Sequence, residues 1–229
     1  TTFTKPTGTP MTSAGSKRPS RISSQIRTSA VGALPMAKTS GPGRPAALSM
    51  DAAARVVESW NLTLRHFPEV GPITEAQMKG VMGKTLPKIG EALFTGVSVA
   101  RAHEIVARCC DEENAYLERT GGTLYPGLEE TLAALSARWP LYVVSNCQEG
   151  YIEAFYAAHG LGHYFAGSEN AGHTGLPKWD NISLMARREG LSRVLYVGDT
   201  EMDCDAAHRA GVPFIHARYG FGRAPEADY

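Results

Sequence analysis

Arg193-Val194-Leu195-Tyr196-Val197-Gly198-Asp199-Thr200-Glu201-Met202-Asp203 is the stretch from which the rest of the chain is read. It opens as a short apolar run, with the length and composition of a buried strand. Gly198 breaks the run and a carboxylate follows at once. Asp203 stands four residues on, where Asp203-Cys204-Asp205-Ala206-Ala207-His208 takes up a helical pattern. Open α/β sheets bind ligands beyond the carboxyl ends of their strands. Asp199 is therefore expected at a strand tip and Asp203 in the first turn beyond it. Both can point at one hard cation. Mg²⁺ takes oxygen ligands and is usually held by one or two carboxylates plus phosphate and water. The same residues also suit a turn and a helix cap, which Asp favours.

Upstream, a second apolar run, Leu141-Tyr142-Val143-Val144, ends in Ser145-Asn146. Helices follow from Gly150 to His159 and from about Trp179 to Gly190, the latter led in by Gly175-Leu176-Pro177-Lys178. Residues 164–168 are a weak strand candidate, and Phe214-Ile215-His216-Ala217 a further strand after Gly211-Val212-Pro213. Strands alternating with helices of this length imply βα units and a parallel sheet. In such a sheet Ser145, Lys178 and Asp199 converge on one edge. A hydroxyl and free N–H groups near a helix start bind phosphate oxygens, and a lysine neutralises them. With a cation these are the parts that phosphoryl transfer requires.

Residues 51–119 read as helices throughout. Val57, Trp60, Leu64 and Phe67 recur at helical spacing. Thr74-Glu75-Ala76-Gln77 has the form of a capping box, and Gly83-Lys84-Thr85 interrupts before a third helix. A long fourth helix runs from Ser98 or Val99 to about Arg119. Asp51 reads as an N-cap residue.

The totals narrow the class. Of 229 residues, 43% are hydrophobic, and the formal net charge is zero, so nucleic acid and membrane surfaces are not expected partners. Cys109, Cys110, Cys147 and Cys204 form no Cys-x-x-Cys pair, which argues against a disulfide framework or a zinc site and for a reducing, cytoplasmic setting. Residues 1–50 contain no Asp or Glu and are rich in Ser, Thr, Pro and Gly. That composition fits disorder, and it is also what a transit peptide looks like.

Tyr125-Pro126-Gly127, Val143-Val144-Ser145-Asn146, Lys178, Gly198-Asp199 with Asp203, and Ala210-Gly211-Val212-Pro213 occur in an order that resembles the haloacid dehalogenase-like phosphatases, close to the phosphoglycolate-phosphatase-like branch. The resemblance implies an α/β fold: a Rossmann-like three-layer core with a parallel sheet (residues 123–229) and an inserted all-helical cap (51–122). It implies Mg²⁺-dependent hydrolysis of a small phosphorylated metabolite through an aspartyl-phosphate. Ser145 and Asn146 would bind the phosphoryl group and Lys178 would bridge it to the nucleophile. Asp199 and Asp203 would serve the metal, and Lys84, on the cap, would meet an anionic substrate tail. The resemblance gives no oligomeric state.

One part of the pattern is missing. The family's Asp-x-Asp-x-Thr motif supplies the attacking carboxylate and the acid at the end of the first core strand. Counting back from Asp51 places it near positions 44 and 46, where Arg44 and Ala46 stand, and neither can do that chemistry. The best strand candidate nearby, Ala30 to Met36, carries a Gly and a Pro, so the first core strand is expected to be missing or replaced. Two accounts fit. Residues up to about 49 are a frame-shifted or misassembled translation, or the chain is a non-catalytic pseudo-phosphatase that binds phosphate and Mg²⁺. The start on Thr and the stop at Tyr229, short of a strand and helix usual in the family, further suggest a fragment.

Overall fold

The structure is a computed structural model that describes residues 28–32 and 50–229. Five parallel strands form the main sheet in the order β5-β4-β1-β6-β7. They are β1 (Thr28–Gly32), β4 (Leu141–Ser145), β5 (Phe165–Asn170), β6 (Arg193–Gly198) and β7 (Phe214–His216).

Successive strand residues point to opposite faces. Tyr142 and Val144 of β4 and Tyr196 of β6 pack with Ile182 and Met185 of α8 (Lys178–Arg188) and with Cys204, Ala206 and Ala207 of α9 (Glu201–Arg209). On the other face Leu141 packs with Leu128 and Leu132 of α5 (Leu128–Ser136) and Phe155 of α6 (Tyr151–His159). A helical turn, α7 (Ala171–Thr174), joins β5 to α8. The last residue also joins the sheet: Tyr229 donates its N–H to Phe214 and accepts from His216 along the outer edge of β7.

The central position holds a strand, so of the two expectations, missing or replaced, the first is corrected. Thr28–Gly32 pairs with β6 from Thr28↔Arg193 to Gly32↔Val197, and with β4 at Ala30 and Val31. The reason is in the spacing. Gly32 is the last residue of the strand and Pro35 lies beyond it, so neither interrupts the ladder, while both neighbouring strands need backbone partners. Positions 44 and 46, and the expected disorder of residues 1–50 apart from this strand and Met50, lie outside the described residues.

A two-stranded antiparallel ribbon, β2 (Met50–Asp51) with β3 (Thr123–Leu124), brackets the helical insert. Asp51 is thus in a strand, not at the N-cap. Ala52 takes the cap position, and Asp51 Oδ1 accepts the Ala53 N–H at 3.0 Å from one residue further out. Pairing with Thr123 keeps Asp51 extended.

Between the ribbon strands run α1 (Ala53–Leu64), α2 (Glu75–Lys79), α3 (Leu86–Leu93) and α4 (Val99–Thr120). The capping box forms as expected, with Thr74 and Gln77 bonding reciprocally. Val56, Trp60, Leu64, Met78, Ile89, Ile105 and Leu117 make an apolar core of their own, which reaches Ala154 on α6. The insert therefore packs on the sheet layer through α6. Among the described residues no helix is long and apolar enough to cross a membrane.

Candidate functional site

β4 ends at Ser145, β6 ends at Gly198, and α8 begins at Lys178. These ends lie on one edge of the sheet, and Ser145, Lys178, Gly198, Asp199, Thr200 and Asp203 line one cavity of about 210 Å³.

Asp203 is the most heavily bonded side chain there. Its Oδ1 accepts from Lys178 Nζ at 2.5 Å. Its Oδ2 accepts the N–H groups of Asp199 and Thr200 and the Thr200 hydroxyl, at 3.2, 3.1 and 2.8 Å. Thr200 returns the bond as N-cap, accepting from the Asp203 N–H, so the helix cap and the charged pair are the same residue. Burial works against the charge of Asp203, but Lys178 and the Thr200 donors outweigh it and hold the carboxyl below its usual range. Lys178 is pushed down by burial and up by Asp203; the pairing wins and keeps it protonated.

Asp199 differs. Phe221 donates its N–H to Oδ2 at 2.7 Å. Burial, and then the neighbouring Asp203, push Asp199 up to about 6. Two glycines make room for this arrangement. A Cβ on Gly198 would stand 2.6 Å from Asp203 Cβ, and one on Gly220 would stand 2.2 Å from Asp199 Cβ. Gly198 therefore does not break the strand, since β6 includes it. It is glycine because the carboxylate lies against it.

The test for Mg²⁺ is the donor set. Among the described residues no cluster of three His, Cys, Asp or Glu side chains surrounds a common point. The oxygens of Asp203 are committed to Lys178 and Thr200, so Asp199 is the carboxylate available. One carboxylate with phosphate and water oxygens fits Mg²⁺.

Ser145 Oγ accepts the Cys147 N–H at 3.3 Å, and Ser145 lines the cavity. Asn146 lies apart from that cavity's lining. Its side-chain N–H donates to the Gly83 carbonyl at 3.0 Å, and its oxygen is buried without a partner. The side chain therefore ties the end of β4 to the insert at Gly83. Lys84 lines a second cavity beside the first, of about 130 Å³, together with Ser145, Asn146 and Lys178.

Three participants escaped sequence reading. Thr200 carried a signal, because Thr three residues before Asp is a capping pattern. The Phe221 N–H and Gly220 carried none, since they reach Asp199 only through the fold. In sequence, Gly32 at the end of β1 is followed by Ala33-Leu34-Pro35-Met36, which contains no carboxylate.

The model of the family described as haloacid dehalogenase-like hydrolase matches residues 50–217. A phosphoglycolate phosphatase of Escherichia coli (strain K12) is 28% identical over 130 residues, covering 54% of this chain and 51% of its own. One of Rhodospirillum rubrum is 27% identical over 184 residues, covering 75% and 76%. The chain thus spans about half the length of the first of these relatives and three quarters of the second. Among solved structures, a haloacid dehalogenase-like family hydrolase from Streptococcus pneumoniae superposes with a TM-score of 0.67 at 18% identity, covering 89% of this chain and 93% of its own. A predicted phosphoglycolate phosphatase from Haemophilus somnus gives 0.65 at 20% identity, covering 87% and 88%. These two show the fold. The phosphatases are what parts of the chain are similar to; by the family model, the chain belongs to the haloacid dehalogenase-like hydrolase family.

Proposed function

We propose that this chain binds a small phosphomonoester at the sheet edge and hydrolyses that ester weakly or not at all. The observation that supports binding is the convergence of Ser145, Lys178 and Asp199 on one cavity. The Ser145 hydroxyl and the N–H groups after β4 suit phosphate oxygens. Lys178, fixed by Asp203, offers one immobile positive charge. Asp203 serves by holding Lys178 and the turn, while Asp199 is the residue that would hold Mg²⁺. Bound there, Mg²⁺ would neutralise phosphoryl charge. The phosphatase relatives make 2-phosphoglycolate the first ester to try.

The weak turnover follows from what is missing in sequence. Residues 1–50 carry no Asp or Glu, so the sequence after β1 offers no carboxylate to attack phosphorus. Loss of the attacking group of a covalent mechanism lowers the rate on the order of 10⁶.

The experiment is Mg²⁺-dependent phosphate release from an aryl phosphate and from 2-phosphoglycolate. The parent chain is expected to be inert. Because β1 ends at Gly32, the triple change Ala33→Asp, Pro35→Asp, Ala37→Thr is expected to restore turnover of about 1 s⁻¹ or more, the low end of ordinary enzymes. Arg44→Asp, Ala46→Asp, Leu48→Thr is expected not to. A parent chain that turns over, and loses this with Asp199→Asn, overturns the reading, since another group must then attack phosphorus.

A further inference from the structure

The helical insert is joined to the sheet layer at two crossings, and both run through the ribbon of β2 and β3. The return crossing is Gly121-Gly122, directly after α4. Gly121 has φ +62° and ψ −178°, a backbone region that only glycine adopts readily. The His159 ring, from the end of α6, bars a side chain there a second time: a Cβ on Gly121 would stand 2.8 Å from its Cε1. A Cβ on Gly122 would stand 2.6 Å from Met50 Sδ, on the outgoing crossing. The two glycines therefore let the ring and both crossings close on one point.

The contact is also a hydrogen bond. Gly122 donates its N–H to His159 Nε2 at 3.2 Å. A backbone N–H can only donate, so Nε2 is the acceptor and the ring is neutral, with its proton on Nδ1. Among the described residues this is the bond that the Gly122 N–H makes. A proton added to Nε2 would set two donors face to face and remove the acceptor.

We propose that His159 is a pH-sensitive lock on this joint: the neutral ring holds Gly122, and the imidazolium releases it. The proposal does not depend on the phosphate site. The surroundings leave control to the ring itself. Phe155 of the same helix lies 5.4 Å away between ring centroids and carries no charge. His163, beyond the end of α6, is bonded to the Gly160 carbonyl. Asp51 on the facing ribbon is occupied by the Ala53 N–H and by Lys79. Glu118 and Arg119, at the end of α4, are exposed. Burial pulls the half-buried ring below the usual 6.5, and no charged neighbour contributes. The bond is therefore whole above 6.5 and is lost as pH falls through the lower, folded value. Release frees the joint without detaching the insert, because Asn146 to the Gly83 carbonyl and Asn114 to the Glu149 carbonyl still tie it to the loop after β4.

NMR of the full chain tests this, with the His159 ring titration and the hydrogen-exchange protection of the Gly122 amide followed together against pH. Protection is taken relative to the intrinsic exchange rate at each pH. In the parent, Gly122 protection is expected to fall about tenfold or more with the midpoint of the ring titration, while the amides of Ile105 and Leu117 in the insert core keep theirs. His159→Gln supplies an acceptor that does not titrate, and Gly122 is expected to stay protected across the range. His159→Phe keeps a ring without an acceptor, and Gly122 is expected to be unprotected at every pH. Should a variant fail to fold, the parent alone decides. Gly122 protection that ignores the ring titration, or that is lost equally with Ile105 and Leu117, overturns the lock. So does protection in His159→Phe equal to the parent's, or a His159→Gln variant that loses protection at the parent's midpoint.

Discussion

Asp203 at the sheet edge and Glu113 in the helical insert are both almost completely buried, at 5% and 3% exposure. Their partners differ. Asp203 meets the Lys178 ammonium and three donors around Thr200. Glu113 meets only the indole N–H of Trp60 and the amide of Gln148. The outcomes are opposite: Asp203 is held below the ordinary carboxylate range, and burial drives Glu113 up to about 7. Burial penalises both charges, and a cation in contact decides the sign. The first carboxylate is part of a closed, fully satisfied device. The second is held only by two neutral donors and has no cation in contact.

The strongest way to break this contrast is to remove the cation. Lys178→Met leaves Asp203 buried without its charged partner and is expected to destabilise the chain by about 3–5 kcal/mol. The midpoint of urea unfolding reads this out. The double change Lys178→Met, Asp203→Asn removes both charges and is expected to recover much of the loss. If the single change is silent, the pair does not have the buried geometry described.

Next in size is the pH response of Glu113. Its folded value lies above the unfolded 4.5, so between 4.5 and about 7 the folded chain holds a proton that the unfolded chain has released. Stability is then full below 4.5 and falls as pH rises through that window, by about 3 kcal/mol for this group. Glu113→Gln is expected to remove that component, so its stability relative to the parent should rise across the same window. A difference between the two proteins that does not change with pH would place Glu113 in contact with water or with a cation.

The smallest effect tests the neutral donors around Asp203. Thr200→Val keeps the shape of the side chain but removes both the N-cap acceptor and the hydroxyl that donates to Asp203. About 1 kcal/mol of stability should be lost, measured by the same unfolding midpoint. A much larger loss would mean that Thr200, and not Lys178, keeps Asp203 ionised.

Much of this was legible beforehand because it is local. The 3.6-residue pattern of Val57, Trp60 and Leu64 and the capping box at Thr74 need only near neighbours to form, and both appear as read. The run ending at Gly198-Asp199 needed only a sheet to put its end beside Ser145. β1 was harder. Thr28–Gly32 is a weak strand by composition and is held by pairing on both sides, which no local pattern reports. Glu113 was not legible at all. In sequence it is one acid in the exposed-looking run Asp111-Glu112-Glu113. Only the packing of α4 against α1 and the loop after β4 turns it inward.

The sequence by itself determined the element order, the edge at which chemistry is gathered, and the absence of any carboxylate ahead of residue 51, because these depend on residue type and short spacing. The tertiary structure decided which acceptors are already satisfied. It committed Asp203 to Lys178 and Asn146 to Gly83, and it left Asp199 beside one cavity and Glu113 beside another. The reason is that hydrogen-bond capacity is used up by whichever groups the fold brings within about 3 Å, and those partners lie 25, 63 and 53 residues apart for Lys178 with Asp203, Asn146 with Gly83 and Trp60 with Glu113.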